Sequence, residues 1–197
     1  MKTFKIIFVL LTFSFLVISC SSDNNESEAV VYNEENPFDV YMSISGFRET
    51  TAVVRKAGFF EMGFSFIPIV NGKINSFAVR TPDVNNALRI TLWDAETKKN
   101  IKSETIDVSA VNVFIEKAVA PITLMKGKEY FLSINTDDYY LRKNGTGADV
   151  SFPIVAGNII VTGNAYASNT GIVISYPVNS TKNYYTGDIT FKFQQTE

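Results

Sequence analysis

Short runs of apolar, aromatic and β-branched residues recur along most of the chain, broken by polar turn residues about every 8 to 15 positions, as strands rather than helices require. Leu88, Ile90 and Leu92 alternate with Arg89 and Thr91, the period of a half-buried strand. Ile189, Phe191 and Phe193 mark one face of a closing strand over 188–193. The same reading predicts strands at 64–70, 73–79, 101–108, 113–119, 129–134, 151–155, 158–162 and 171–176. Asn71-Gly72 predicts a tight type I′ hairpin between the first two of these. Pro68 cannot donate to a ladder, so its strand is expected at an edge or a bulge. Polar turns are expected at 94–100 and 125–128, and a short link at 121–124. After the N-terminal segment, no stretch carries a sustained 3.6-residue apolar period with caps at both ends. These patterns imply an all-β fold class, an antiparallel β-sandwich of jelly-roll type. One domain over 40–197 is long enough to bury about 70% of its unfolded surface in a single core.

The first twenty residues follow another pattern. Lys2 and Lys5 precede an apolar run from Ile6 to Ile18 broken only by Thr12 and Ser14. As a helix it would span about 20 Å, short of the roughly 30 Å hydrocarbon core of a bilayer. That length suits the apolar part of an export signal. The run ends in Val17-Ile18-Ser19-Cys20, which resembles a bacterial lipobox. The expectation is a signal peptide at 1–19 and lipidation at Cys20, anchoring the protein to a membrane. Several acyl chains hold a protein stably where one holds it only marginally. By resemblance to bacterial lipoproteins, Ser21 points to the outer membrane of a Gram-negative cell. The acidic stretch 23–28 resembles the surface-export signals of Bacteroidetes lipoproteins. Residues 20–39 hold the cysteine and then mainly Ser, Asn, Asp and Glu, so they read as a flexible tether of about 25 Å root-mean-square reach.

Composition narrows the chemistry. The 197 residues are 46% hydrophobic and 19% charged, the balance of a globular chain, and the net charge of −2 gives no reason to expect nucleic acid. Removing 1–19 removes two lysines and leaves 16 basic against 20 acidic side chains, a net of −4. With no histidine, Ser-His-Asp and Cys-His systems are excluded. One cysteine excludes an internal disulfide and the common Cys/His zinc sites. No cofactor is expected.

Further motifs run in a recognisable order. They are Gly63-Phe64-Ser65-Phe66, Asn71-Gly72-Lys73-Ile74, Leu92-Trp93-Asp94-Ala95, and Ala120-Pro121-Ile122-Thr123-Leu124 leading to Gly127-Lys128-Glu129-Tyr130. Tyr176-Pro177 and Asn183-Tyr184-Tyr185-Thr186-Gly187-Asp188-Ile189-Thr190-Phe191 complete the series. Over residues 55–193 this order resembles a bacterial module known as domain of unknown function 4082. Tyr185 stands where that family commonly has Trp, and the 197 residues include no fused enzyme. The resemblance implies a jelly-roll-like sandwich in secreted or surface proteins, often beside carbohydrate-active or adhesive modules. It implies no catalytic residues.

Candidate ligand-binding residues are Trp93, Tyr139, Tyr140, Tyr166, Tyr184 and Tyr185. Their rings suit stacking on sugar faces or anchoring a protein partner. The competing structural reading places Trp93 at a sandwich rim, with Asp94 opening a turn, and has about half of the tyrosines covering sheet edges. Asp137-Asp138 lacks calcium-loop spacing and reads as solvated loop charge. Asn144-Gly145-Thr146-Gly147 lacks the ending of a phosphate loop. The expected role is a non-catalytic surface module that binds glycan or a protein. The alternatives are a glycoside hydrolase drawing on Asp94, Asp137, Asp138 and Asp188, or a purely structural envelope lipoprotein.

Overall fold

The computed structural model describes residues 30–54, 58–168, 170–171 and 173–197. The signal segment 1–19, Cys20 and the first part of the tether lie outside the described residues. The described chain forms an all-β sandwich. The large sheet runs in the order β10 (Ile154–Ala156), β11 (Ile159–Ser168), β3 (Phe60–Pro68), β8 (Tyr130–Thr136), β5 (Asn85–Asp94) and β6 (Asn100–Val108), with β12 (Asn179–Thr181) also paired to β11. The facing sheet runs β1 (Glu34–Glu35), β14 (Asp188–Gln195), β4 (Gly72–Arg80) and β7 (Ile115–Leu124). A third, small sheet of β13 (Tyr184–Thr186), β9 (Asp138–Lys143) and β2 (Arg48–Val54) adjoins them. All pairings are antiparallel.

The alternating apolar positions of the sequence form the inner faces. Leu88, Ile90 and Leu92 are buried, and Phe191 of β14 meets Phe66 and Phe64 of β3 with ring centroids 4.7 and 6.3 Å apart. Asp188, fully buried, accepts from Nε and Nη2 of both Arg80 and Arg142 at 2.6–2.9 Å. These bonds tie β4, β14 and β9 together across two sheets. Charge-assisted bonds of this geometry are the strong ones.

Four strand and turn expectations need correction. Asn71-Gly72 closes no hairpin, because β3 and β4 belong to opposite sheets. Gly72 is required by packing: a Cβ there would lie 2.3 Å from the Phe193 ring and 2.6 Å from the Gln194 carbonyl oxygen. Pro68 lies at the end of a central strand, beyond Phe66, where the β8 pairing stops, so no ladder donor is missed. Residues 121–124 belong to β7, an edge strand whose register shifts opposite Ile74/Ser76, which accommodates Pro121. Residues 171–176, where described, are not a strand but cross the outer face of the large sheet.

Residues 34–39 are folded rather than tether. Glu34 and Glu35 pair with β14, and α1 (Pro37–Ser45) follows. Asn36 caps α1 by accepting from the Phe38 amide at 3.0 Å, Pro37 suits the first turn, and Gly46 ends it at φ 68°. Its inward positions Phe38, Tyr41 and Ser45 follow helical spacing, and Tyr41 meets Phe64 at 5.9 Å and Tyr185 at 5.7 Å.

Candidate functional site

The candidate tyrosines lie on strands, and strand alternation divides them. In β9, Tyr139 and Tyr140 point to opposite faces, as do Tyr184 and Tyr185 in β13. Tyr185 is fully buried among Phe38, Tyr41 and Phe47, and its hydroxyl donates to the Gly187 carbonyl at 2.5 Å. Tyr140 is buried beneath the Arg80 guanidinium, 4.7 Å from the ring centroid, with its hydroxyl on Asn112. These two candidates are core residues. Trp93 is also buried: its indole N–H donates to Ser133 Oγ at 2.8 Å, and Tyr176 meets its ring edge-on at 5.5 Å. None of the three presents a ring face to solvent.

The other three candidates come together. Tyr139 of β9, Tyr166 of β11 and Tyr184 of β13 line one open cleft of about 180 Å³ with Phe60, Met62 and Thr186. Phe60, Met62 and Tyr166 stand on the inner face of the large sheet at its end, because Tyr166 is in register with Met62. Tyr139, Tyr184 and Thr186 come from the small sheet opposite. Tyr166 and Tyr184 rings are 6.5 Å apart, and Phe60 meets Tyr139 edge-on at 5.8 Å. The Tyr184 phenol is pushed up to about 12, first by burial and then by the neighbouring Tyr166 hydroxyl. The Tyr184 phenol is therefore protonated at neutral pH, and the described residues that line the cleft present flat rings and no carboxylate.

The cleft lies far from where the chain enters the domain. Thr186 precedes β14 by two residues, whereas Glu34 pairs with Gln194 near its other end. Eight strand residues span about 25 Å. The large sheet gives the same polarity: Phe60 at one end of β3 lines the cleft, while Ile69, just past the other end, donates to the Asn158 carbonyl at 2.9 Å, and the Asn158 amide donates to Glu35 at 2.8 Å.

The nominated carboxylates have structural partners. Asp94 accepts from the Thr97 amide at 2.8 Å and meets Lys128 at 2.6 Å; the Lys128 ammonium and then the Thr97 amide hold its carboxyl down at about 2. Asp138, read from the sequence as solvated, is buried and accepts from the Asp83 amide, Asn85 and the Thr136 hydroxyl. Asp137 alone separates β8 from β9. Asp188 is fixed between two arginines. Among the described residues, no group of three or more Cys, Asp or Glu is placed to hold a metal, and no helix is long and apolar enough to cross a membrane.

A second, larger cleft of about 500 Å³ lies beside the first, between β11, β12 and the 149–152 segment. Its wall includes Asn164, two residues from Tyr166 on β11 and 3% exposed. The Tyr41 hydroxyl donates to Asn164 Oδ1 at 2.5 Å, while Nδ2 has no hydrogen-bond partner. A buried donor left unpaired costs about 1–3 kcal/mol. Sequence reading missed Asn164, Phe60, Met62 and Thr186. The signal that could have found three of them is alternation, since Asn164 shares a strand face with Tyr166, and Met62 and Phe60 with Phe64. No family model and no curated protein matches the chain.

Proposed function

We propose that this protein is a non-catalytic, lipid-anchored glycan-binding module of the outer membrane. In this reading the tyrosine cleft is the binding face and Cys20 is the anchor. The observation that carries the proposal is the convergence of Tyr139, Tyr166 and Tyr184, from three strands of two sheets, on one open cleft whose described lining residues carry no charge. Rings and phenols in that setting suit a sugar: the apolar faces stack on C–H bonds and the hydroxyls bond to ring substituents. The positions of the ends support the reading. A tether running from Cys20 would reach the domain beside Glu34, about one strand length from the cleft, so the cleft would face away from the membrane.

A hydrolase reading has less support, since Asp94, Asp138 and Asp188 are held by turn, capping and arginine contacts. The test is a glycan array probed with the mature chain, in wild-type form and as Tyr184→Ala. Binding of a glycan by the wild type and its loss in the variant supports the proposal. A blank array together with a captured envelope protein would replace glycan with a protein partner. For the anchor, radioactive palmitate is expected in the wild type and absent in Cys20→Ala.

A further inference from the structure

The polar cleft beside the tyrosines has its own chemistry. The Tyr41 phenol, kept protonated by burial far above its ordinary range, donates to Asn164 Oδ1. The Nδ2 amide is therefore the end left over, carrying two donors that no protein group accepts. Besides Asn164, whose Nδ2 is itself buried, the lining residues include Ser151, Ser180, Thr181 and the half-buried Phe152, whose ring packs 6.3 Å from Tyr41. Asp149 and Lys182, both exposed, bring one charge of each sign to the wall, so it has no net attraction for an ion of either kind. The volume of about 500 Å³ falls within the roughly 300–1,000 Å³ of small-ligand sites.

From this geometry we infer that the Asn164 cleft is a second binding site, for a neutral polyhydroxylated ligand of the sugar class, whose oxygen accepts from Asn164 Nδ2. Neutrality follows from the balanced wall, hydroxyl-rich chemistry from the serine and threonine lining, and a required acceptor from the orphaned amide. Phe152 supplies the apolar face that ring binding uses. The site stands without the tyrosine-cleft reading and extends it: Asn164 and Tyr166 share one face of β11, and the Thr181 hydroxyl donates to the Tyr184 carbonyl at 2.9 Å, so the two clefts adjoin.

The test follows the Asn164 side-chain NH₂ signals of ¹⁵N-labelled mature protein by NMR. Glucose, galactose, mannose and N-acetylglucosamine are added in turn, with inorganic phosphate and acetate as ionic comparisons. The expected result is a saturable shift of the Asn164 pair with at least one sugar and none with either ion. Asn164→Asp keeps the acceptor for Tyr41 and removes the two donors; Ser151→Trp fills the cleft and leaves the buried pair intact. Each is expected to weaken that sugar at least about tenfold, the second keeping the site testable where the first fails to fold. Tyr184→Ala is expected to keep the Asn164 shift, which separates this site from the tyrosine cleft. No saturable shift with any sugar, an equal shift with phosphate or acetate, or unchanged affinity in Ser151→Trp would overturn the assignment.

Discussion

Aromatic rings occupy both faces of the large sheet outside the main apolar core, and the two faces treat them differently. On the outer face, Trp93 and Phe131 lie beneath Tyr176, each ring 5.5 Å from it, beside a buried polar chain in which Ser133 Oγ donates to Glu61 at 2.6 Å and Arg89 pairs with Glu61 at 2.8 Å. The covering segment is bonded down: the Val173 carbonyl accepts from Arg89 and the Thr170 hydroxyl from Asn135. On the inner face, beyond the reach of the facing sheet, Phe60, Met62 and Tyr166 meet Tyr139 and Tyr184 across an open cleft. The covered rings are fixed by hydrogen bonds that a partner would have to break. The rings on the inner face line an open cleft, and half-buried apolar surface of this kind is where interaction sites are sought.

Trp93→Ala has the largest expected effect on the covered face. Removing a buried indole from a packed face costs about 3–5 kcal/mol, read as a lower urea midpoint, while any glycan held by the tyrosine cleft should bind the folded variant unchanged. The adjacent pair on β13 sharpens the contrast within one strand. Tyr185→Phe deletes the donor to the buried Gly187 carbonyl and should cost about 1–2 kcal/mol. Tyr184→Ala, at a half-buried position, should cost less than Trp93→Ala, yet remove binding.

A smaller effect distinguishes the faces by pH. Burial raises the Glu61 carboxyl above its usual range, against the hydrogen bonds of Ser133 and Arg89 that oppose it. The native state therefore takes up this proton more readily than the unfolded chain does. Relative to Glu61→Gln, wild-type stability should rise as pH falls from neutrality into the ordinary glutamate range. The carboxyls of half-buried Glu104 and exposed Glu116 are lowered by their lysine partners, so their contribution is kept through that fall and lost only as pH drops below the ordinary glutamate range. Urea titrations at several pH values read both signs.

Much of the sandwich was legible because Leu88–Arg89–Ile90 and Ile189–Thr190–Phe191 alternate apolar and polar side chains, which is what packing one strand face on the apolar core imposes. Asn71-Gly72 misled because the glycine answers a long-range contact with Phe193 that local turn chemistry cannot show. The helix was missed although Asn36, Pro37 and Gly46 mark its ends, since nine residues offer only two turns of apolar stripe. Tyr139, Tyr166 and Tyr184 stand out for their chemistry, but the strands β9 and β13, whose alternation sends Tyr140 and Tyr185 inward, carry no clear pattern of their own in the sequence. The burial of Trp93 was not readable in its own neighbourhood, because the ring that covers it comes from position 176.

The most direct test of the account is the affinity of the mature chain for the strongest glycan found on an array, measured for wild type and Tyr184→Ala with thermal melts of both. The account predicts saturable binding by the wild type, a loss of at least about tenfold in the variant, and a melting temperature that moves far less than in Trp93→Ala. A wild type that binds no glycan, or a Tyr184→Ala variant that binds as tightly as the wild type, would contradict it.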